Sequence, residues 1–195
     1  VQEGVTAGTI HPLRCSVLRG NVTGCDGTPL AGVEITIADH PEYGITYSRE
    51  DGVFDMVVNG GGTLVVRYEA AGHPRVERHV NPRWVDYAIV PDVVLTPYDP
   101  VVTTVASYAQ TYQVAQSAMV ADADGSRQVT ILFPPGTGAH MVESCDDPAA
   151  TQPLASMAVR ATEYTVGECG PKAMPAALPP QSAYTYAVEL SVDEA

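Results

Sequence analysis

The sequence predicts an all-β protein built as two tandem antiparallel β-sandwich modules. Three observations carry this. Glycine and proline are frequent, at 17 and 16 of 195 residues. Charged residues make up only 17%, below the roughly one quarter usual for soluble domains. Short runs of alternating apolar and polar residues recur, each closed by an Asp-Gly, Asn-Gly or Gly-Gly signal, with no sustained helical stripe anywhere.

Residues 1–15 lack periodicity and read as a leading segment. The first module spans 16–99. In it SVLRGNVT runs into Asp26-Gly27, and GVEITIA sets Val33, Ile35 and Ile37 on one face. ITYSRE ends at Asp51-Gly52, and VFDMVV turns inward either Phe54 with Met56 or Val53 with Val57. Asn59-Gly60 opens a sharp turn into TLVVRYEAAG, and YAIVPDVVL follows a polar crossing. A two-residue hairpin turn needs positive φ, which Gly, Asn and Asp tolerate. Asp26, Gly27, Gly32, Asp51, Gly52, Asn59 and Gly60 are therefore expected as structural turn residues rather than ligands.

Tyr98-Asp99-Pro100 closes the first module, and the second spans 100–195. There VADADGSRQVTILF predicts a hairpin around Asp124-Gly125, with further strands in GAHMVES, ASMAVRATEYTV and YTYAVELSV. GPKAMPAALPPQ is too rich in proline for a regular element and reads as a loop. The expected core is Val33, Ile35, Ile37, Phe54, Leu64, Val66, Ile131 and Phe133.

Ten Lys and Arg stand against 23 Asp and Glu, a net charge of -13. Without clustered basic residues the chain offers nothing to neutralise phosphates, which excludes nucleic acid as a partner. No stretch approaches the roughly 20 apolar residues of a spanning helix, so membrane insertion is not expected. The chain opens on VQEGV without a leader and stops at SVDEA after a strand-like run. Both ends read as cuts inside a longer secreted or cell-surface polypeptide.

Catalysis finds no footing. The five histidines form no metal-binding spacing, and Ser48, Ser144 and Cys145 lack any nucleophile signature. Asp146-Asp147 and Glu50-Asp51 sit in turn sequence, where Asp caps backbone amides. No catalytic residue and no cofactor is expected, with one exception to weigh. Asp122 and Asp124, two apart before Gly125, make half of a calcium loop, and a plain hairpin turn is the competing reading. Tyr43, Tyr47, Tyr68, Trp84 and Tyr87 are either a platform for stacking a glycan or half-buried strand residues.

Four cysteines form no C-x-x-C pair. Cys15 and Cys25, if one straight strand separates them, lie about 30 Å apart, beyond disulfide reach unless the chain bends. Cys145 and Cys169 both lie in turn-like sequence and are the expected bridge, against free thiols as the alternative.

Asp26-Gly27-Thr28-Pro29-Leu30-Ala31-Gly32-Val33 and the hairpin segment from Thr46 to Phe54 resemble the transthyretin-like, carboxypeptidase-regulatory-type domain. HPEYGITYSREDGVFDMVVNGGG is similar to the version in teneurins and bacterial Rhs (YD-repeat) proteins. GSRQVTILFPPGT, VRATEYTVG and LPPQSAYTYAVEL are similar to the segment that follows it in Rhs-type proteins. The resemblance implies a prealbumin-like sandwich without chemistry, inside a large secreted or surface protein. It further implies a YD-repeat shell enclosing a C-terminal toxin or effector, which these modules brace or plug. The implied partner is the remainder of the parent polypeptide. The alternative is an adhesion module that binds a cell-surface protein or glycan. Transthyretin-like hydrolases end in Tyr-Arg-Gly-Ser, which this chain lacks, and the cysteines fall outside the family pattern.

Overall fold

The computed structural model describes residues 2–122, 125–143, 147, 149–164, 170–176 and 186–194. The chain divides into two compact units, Val1–Pro97 with Gly167–Thr185, and Tyr98–Val166 with Tyr186–Ala195. The sequence reading has the second module contiguous over 100–195, whereas the described residues 170–176 group with the first unit.

The first unit contains β1 (Cys15–Gly24), β2 (Glu34–Ile37), β3 (Thr46–Tyr47), β4 (Val53–Asn59), β5 (Leu64–Glu69), β6 (Val76–Val80), β7 (Asp86–Ile89) and β8 (Val93–Leu95). One sheet runs β4-β1-β7 with β8 also on β1, and the other runs β3-β2-β5-β6. β4 is antiparallel to β1, but β7 and β8 are parallel to it. The sandwich is otherwise antiparallel, as the sequence predicts, and these two pairings on β1 are its parallel exceptions. Alternation along a strand reports which face is buried and carries no information on the direction of its neighbour. Pro91, which has no N–H to donate, lies between β7 and β8 and splits one run into two short strands on the same edge of β1.

Leu18, Val22, Phe54, Met56 and Val58 face Val33, Ile35, Ile37, Leu64, Val66 and Tyr68 to form the core. Of the two faces open for β4 in the sequence, Phe54 with Met56 points inward. The Phe54 ring meets Tyr68 edge-on at 5.6 Å and 75°, a preferred aromatic geometry. Gly20 makes the room, since a Cβ there would come within 2.5 Å of the Phe54 ring. Burial pushes the Tyr68 phenol pKa above its ordinary value.

Three edges of this sandwich are covered. Along β4, the Gln2 side chain accepts from the Val57 N–H (2.7 Å) and donates to the Val57 carbonyl (3.0 Å), as a neighbouring strand would. Asn59 holds the same segment, donating to the Thr9 carbonyl at 2.7 Å and accepting from the His11 N–H at 2.9 Å. β3 is two residues long, and Ile45 before it exchanges backbone bonds with Glu3 at 2.7 and 2.8 Å. The leading segment is thus part of the first unit. On β6, the Glu77 N–H donates to the Pro175 carbonyl at 2.7 Å. The buried Arg78 guanidinium donates to the carbonyls of Met174 (2.9 Å) and Lys172 (2.8 Å). This arginine pins the returning segment, and Ala173 and Met174 are buried with it.

The second unit contains β9 (Thr103–Ala106), β10 (Gln113–Gln116), β11 (Val120–Asp122), β12 (Gly125–Arg127), β13 (Thr130–Phe133), β14 (Ala139–Val142), β15 (Thr151–Leu154), β16 (Ser156–Glu163) and β17 (Val188–Val192). They pair antiparallel as β17-β16-β9, β10-β13, β11-β12 and β14-β15. The core is small: Val105, Ala115, Met157 and Val159, with Ile131 and Phe133 half-buried against it. Six of the eight expected core residues are fully buried, and these last two are not. Buried Asp99 organises the start of the unit, its carboxylate accepting from the N–H groups of Val101 (2.8 Å) and Ala118 (3.0 Å). Arg160 donates to the Asp99 carbonyl and pairs with Asp193 at 2.8 Å.

Phe54→Ala is expected to lower the unfolding free energy by about 3–5 kcal/mol through lost burial and the cavity left behind. Urea denaturation reads this directly, and a loss below about 1 kcal/mol would contradict the packing of Phe54 on Tyr68.

Candidate interaction surface

The outer face of a two-layer sandwich is normally polar, because only the inner face has a partner layer. The β4-β1-β7 sheet departs from this. Register places Val17 between Val57 and Tyr87, and Arg19 between Asp55 and Ile89, all on the outer face. Tyr87 is 64% exposed and Ile89 72%, beside exposed Leu13, Trp84 and Val85. A shallow cleft of about 190 Å³, lined by Cys15, Ser16, Val17, Val85, Asp86 and Tyr87, runs between β1 and β7. Cys15 is a free thiol on this face, its Sγ 3.4 Å from the Pro12 carbonyl.

The glycine turn after Asn59 positions the aromatic end of this surface. The Gly60 N–H donates to the Arg14 carbonyl at 2.7 Å, and the Gly61 N–H to the Pro82 carbonyl at 2.8 Å. A Cβ on Gly60 would lie 2.4 Å from the Arg83 carbonyl oxygen, and one on Gly61 (φ +99°) 2.2 Å from Trp84 Nε1. Gly60 is thus needed for close approach rather than for positive φ. Val85 has φ +51°, a strained conformation for a β-branched residue, of the kind that collects at functional surfaces.

Charge rims the apolar stripe. Arg19 and Arg49 both bond Asp55, at 2.6 and 3.0 Å, and the Arg19 hydrogen bond is the main reason the Asp55 carboxyl is held below its usual pKa. Arg19 also lies over the Tyr87 ring at 5.9 Å, and Arg14 over Trp84 at 5.9 Å. Among the described residues Arg14 and Arg83 have no carboxylate partner. Every other arginine of the first unit is either ion-paired or, as Arg78, buried on carbonyls.

The expected turn residues serve as caps and turns. Asp26 accepts from the Thr28 N–H (2.9 Å), Asp51 from the Val53 N–H (3.0 Å), and Gly27, Gly32 and Gly52 have positive φ. Asn59 ends β4 and ties down the leading segment instead of turning the chain. The five aromatics do not form one platform: Tyr43 and Tyr68 are core, while Tyr47, Trp84 and Tyr87 are exposed. Asp122 Cα pairs with Gly125 across the β11–β12 hairpin, but the Asp122 side chain and Asp124 lie outside the described residues. Among the described residues no group of three or more His, Cys, Asp or Glu is placed to hold a metal.

Cys25 is disulfide-bonded while Cys15 is free. Cys145 and Cys169 lie outside the described residues. The expected Cys145–Cys169 bridge therefore falls on residues outside those described. Cys15 and Cys25 are thus not bridged to each other, as their separation along β1 implies.

In the second unit, Val114 and Leu132 are cross-strand neighbours, both exposed, with exposed Tyr112 beside them. A small, mainly apolar cleft of about 160 Å³ is lined by residues including His140, Met141, Met157 and Val192. Sequence reasoning missed the apolar outer faces, although a signal was present. Around β7, Val85, Tyr87 and Ile89 are apolar at odd positions while Ala88 and Val90 are apolar at even ones. A strand apolar on both faces in a two-layer fold leaves one face without a partner layer.

Gly61→Ala is expected to push Trp84 aside, changing the emission of this sole tryptophan and costing about 1–3 kcal/mol of stability. An unchanged emission spectrum would contradict the contact. Because its folded pKa is lowered, Asp55 contributes stability that is present above its ordinary value of about 3.9 and lost as pH falls through the lowered one. Asp55→Asn should therefore lower the melting temperature at pH 7, and the difference from wild type should vanish in acid below that value.

A family model described as the teneurin TTR-like domain matches residues 10–95. Teneurin-1 of Gallus gallus is 40% identical over 82 residues, which is 42% of this chain and 3% of that protein. Teneurin-m of Drosophila melanogaster is 31% identical over 117 residues, 58% of this chain and 4% of that protein. The chain thus spans a few hundredths of the length of these relatives. Among solved structures, hydroxyquinol 1,2-dioxygenase from Pseudomonas putida DLL-E4 aligns over 48% of this chain and 60% of its own at 13% identity. The TM-score of that alignment is 0.35. By its two-sheet sandwich and the family match over residues 10–95, the first unit is transthyretin-like and similar to the TTR-like domain of teneurins.

Proposed function

We propose that this chain is a non-catalytic structural part of a large secreted or cell-surface protein of the Rhs/teneurin-like kind. Its two units brace or plug a YD-repeat shell around a C-terminal toxin or effector. The observation that carries this reading is that both units turn apolar side chains outward from strands, Tyr87 and Ile89 in one and Val114 and Leu132 in the other. Grouped exposed apolar side chains mark surfaces that are covered in the working assembly. The remainder of the parent polypeptide is the natural cover, and the likeness to a domain of long surface proteins supports that choice.

A second reading, adhesion to a cell-surface protein or glycan, is favoured by the exposed Trp84 and Tyr87, each with an arginine over its ring.

The bracing role is tested in the parent protein. Replacing Val114 and Leu132 together by glutamate should open the shell, so that a protease cuts the enclosed C-terminal segment it otherwise spares. Continued protection, with the doubly substituted chain folded, would count against bracing.

A further inference from the structure

The edges of the first sandwich are treated unequally. β4 is covered by Gln2 and the segment that Asn59 holds. β3 is shortened to two residues, and β6 is covered by residues 172–175. β7 ends its sheet, and among the described residues it pairs only with β1. An open edge presents unpaired N–H and C=O groups and is a ready template for another strand, which is why folds usually blunt it. Here three edges are closed and the fourth is flanked by a groove of about 430 Å³ whose lining includes His79, Asn81, Arg83, Tyr87 and Ile89. Asp86, the acid of this groove, accepts from the Tyr87 N–H at 2.8 Å and is turned to its own strand.

We propose that the open edge of β7 takes up an extended peptide segment as an added strand, with alternate apolar residues over Tyr87 and Ile89 and acidic residues at Arg83 and Arg14. Strand addition draws affinity from main-chain bonds and specificity from side chains at alternate positions. Both are provided: an edge with no strand beyond it among the described residues, its Tyr87 N–H held by the adjacent Asp86 carboxylate, and exposed Val85, Tyr87 and Ile89 spaced two apart. Charge selects the occupant. In a chain of net charge -13, the two arginines of the first unit that have neither carboxylate nor carbonyl partners among the described residues, Arg14 and Arg83, flank Trp84 at the entrance to this strand. A second copy is a poor occupant, because two such acidic chains repel. A glycan leaves the backbone edge and Ile89 unused. This inference does not depend on the shell reading, and its test needs only the chain itself.

The test pans a random-peptide phage library on the wild-type chain, with counter-selection on Ile89→Glu. Ile89 is 72% exposed, so the variant should keep the wild-type melting temperature. Enriched peptides should alternate apolar residues and carry Asp or Glu. Ile89→Glu and Arg83→Glu should each weaken a synthetic copy of the enriched peptide by about tenfold. The bound peptide should slow hydrogen exchange of the β7 amides, which docking through side chains alone does not do. Failure to enrich, or binding that leaves β7 exchange unchanged, overturns the proposal. Binding of dextran sulfate that survives Ile89→Glu would assign the surface to an anionic glycan instead. A concentration-dependent dimer abolished by Ile89→Glu would assign it to a second copy.

Discussion

β1 is the strand on which the first unit depends. It bonds β4 along one edge and both β7 and β8 along the other, so removing it would leave three strands with no common neighbour. The turns converge on it as well. The Val22 N–H donates to the Gly52 carbonyl at 2.9 Å, and the Leu30 N–H to the Val22 carbonyl at 3.1 Å. A side chain on Gly52 would strike the Val22 carbonyl oxygen at 2.4 Å. The Asp51-Gly52 turn is therefore docked on the spine, and its glycine answers to tertiary packing as much as to its own φ. Gly20, in the middle of β1, trades local strand propensity for the Phe54–Tyr68 contact.

Much of this architecture is legible in the residues. The alternation of Val33, Ile35 and Ile37 names a buried face, and Asp26 and Asp51 name turns, because each signal is local. What escapes is set at long range. Parallel pairing of β7 with β1 leaves no mark on alternation. Residues 170–176 look like a proline-rich loop in isolation, and their place follows from Arg78 and Glu77, more than ninety positions earlier. Ile131 and Phe133 have the right pattern, but the second core is too small to enclose them fully. The candidate surface is half visible: its aromatics stand out, while Ile89 is one apolar residue of the YAIVPDVVL run and Val85 carries no signal of its own.

Coverage of edges links fold to function in this molecule. Gln2 imitates a peptide group to close β4, and an arginine that pairs with no carboxylate among the described residues closes β6 by collecting carbonyls. Among the described residues no carboxylate neutralises Arg78, and burial lowers its pKa from the ordinary arginine value. Its three carbonyl contacts, Glu77 included, replace the water it gives up. Against such care, a β7 that has no further strand beside it among the described residues, and carries exposed apolar side chains, is a feature to be explained by what the molecule meets.

The return of residues 170–176 to β6 also bears on the order in which the protein is made. A nascent chain that has emerged only through Pro97 holds all eight strands of the first unit but not the segment that covers β6. Arg78 must then wait, hydrated, until some eighty further residues leave the ribosome. Completion of the first unit is thus tied to synthesis of most of the second. A translation stop between the two units would release a sandwich with the β6 edge exposed as well as β7, and a cation at its rim.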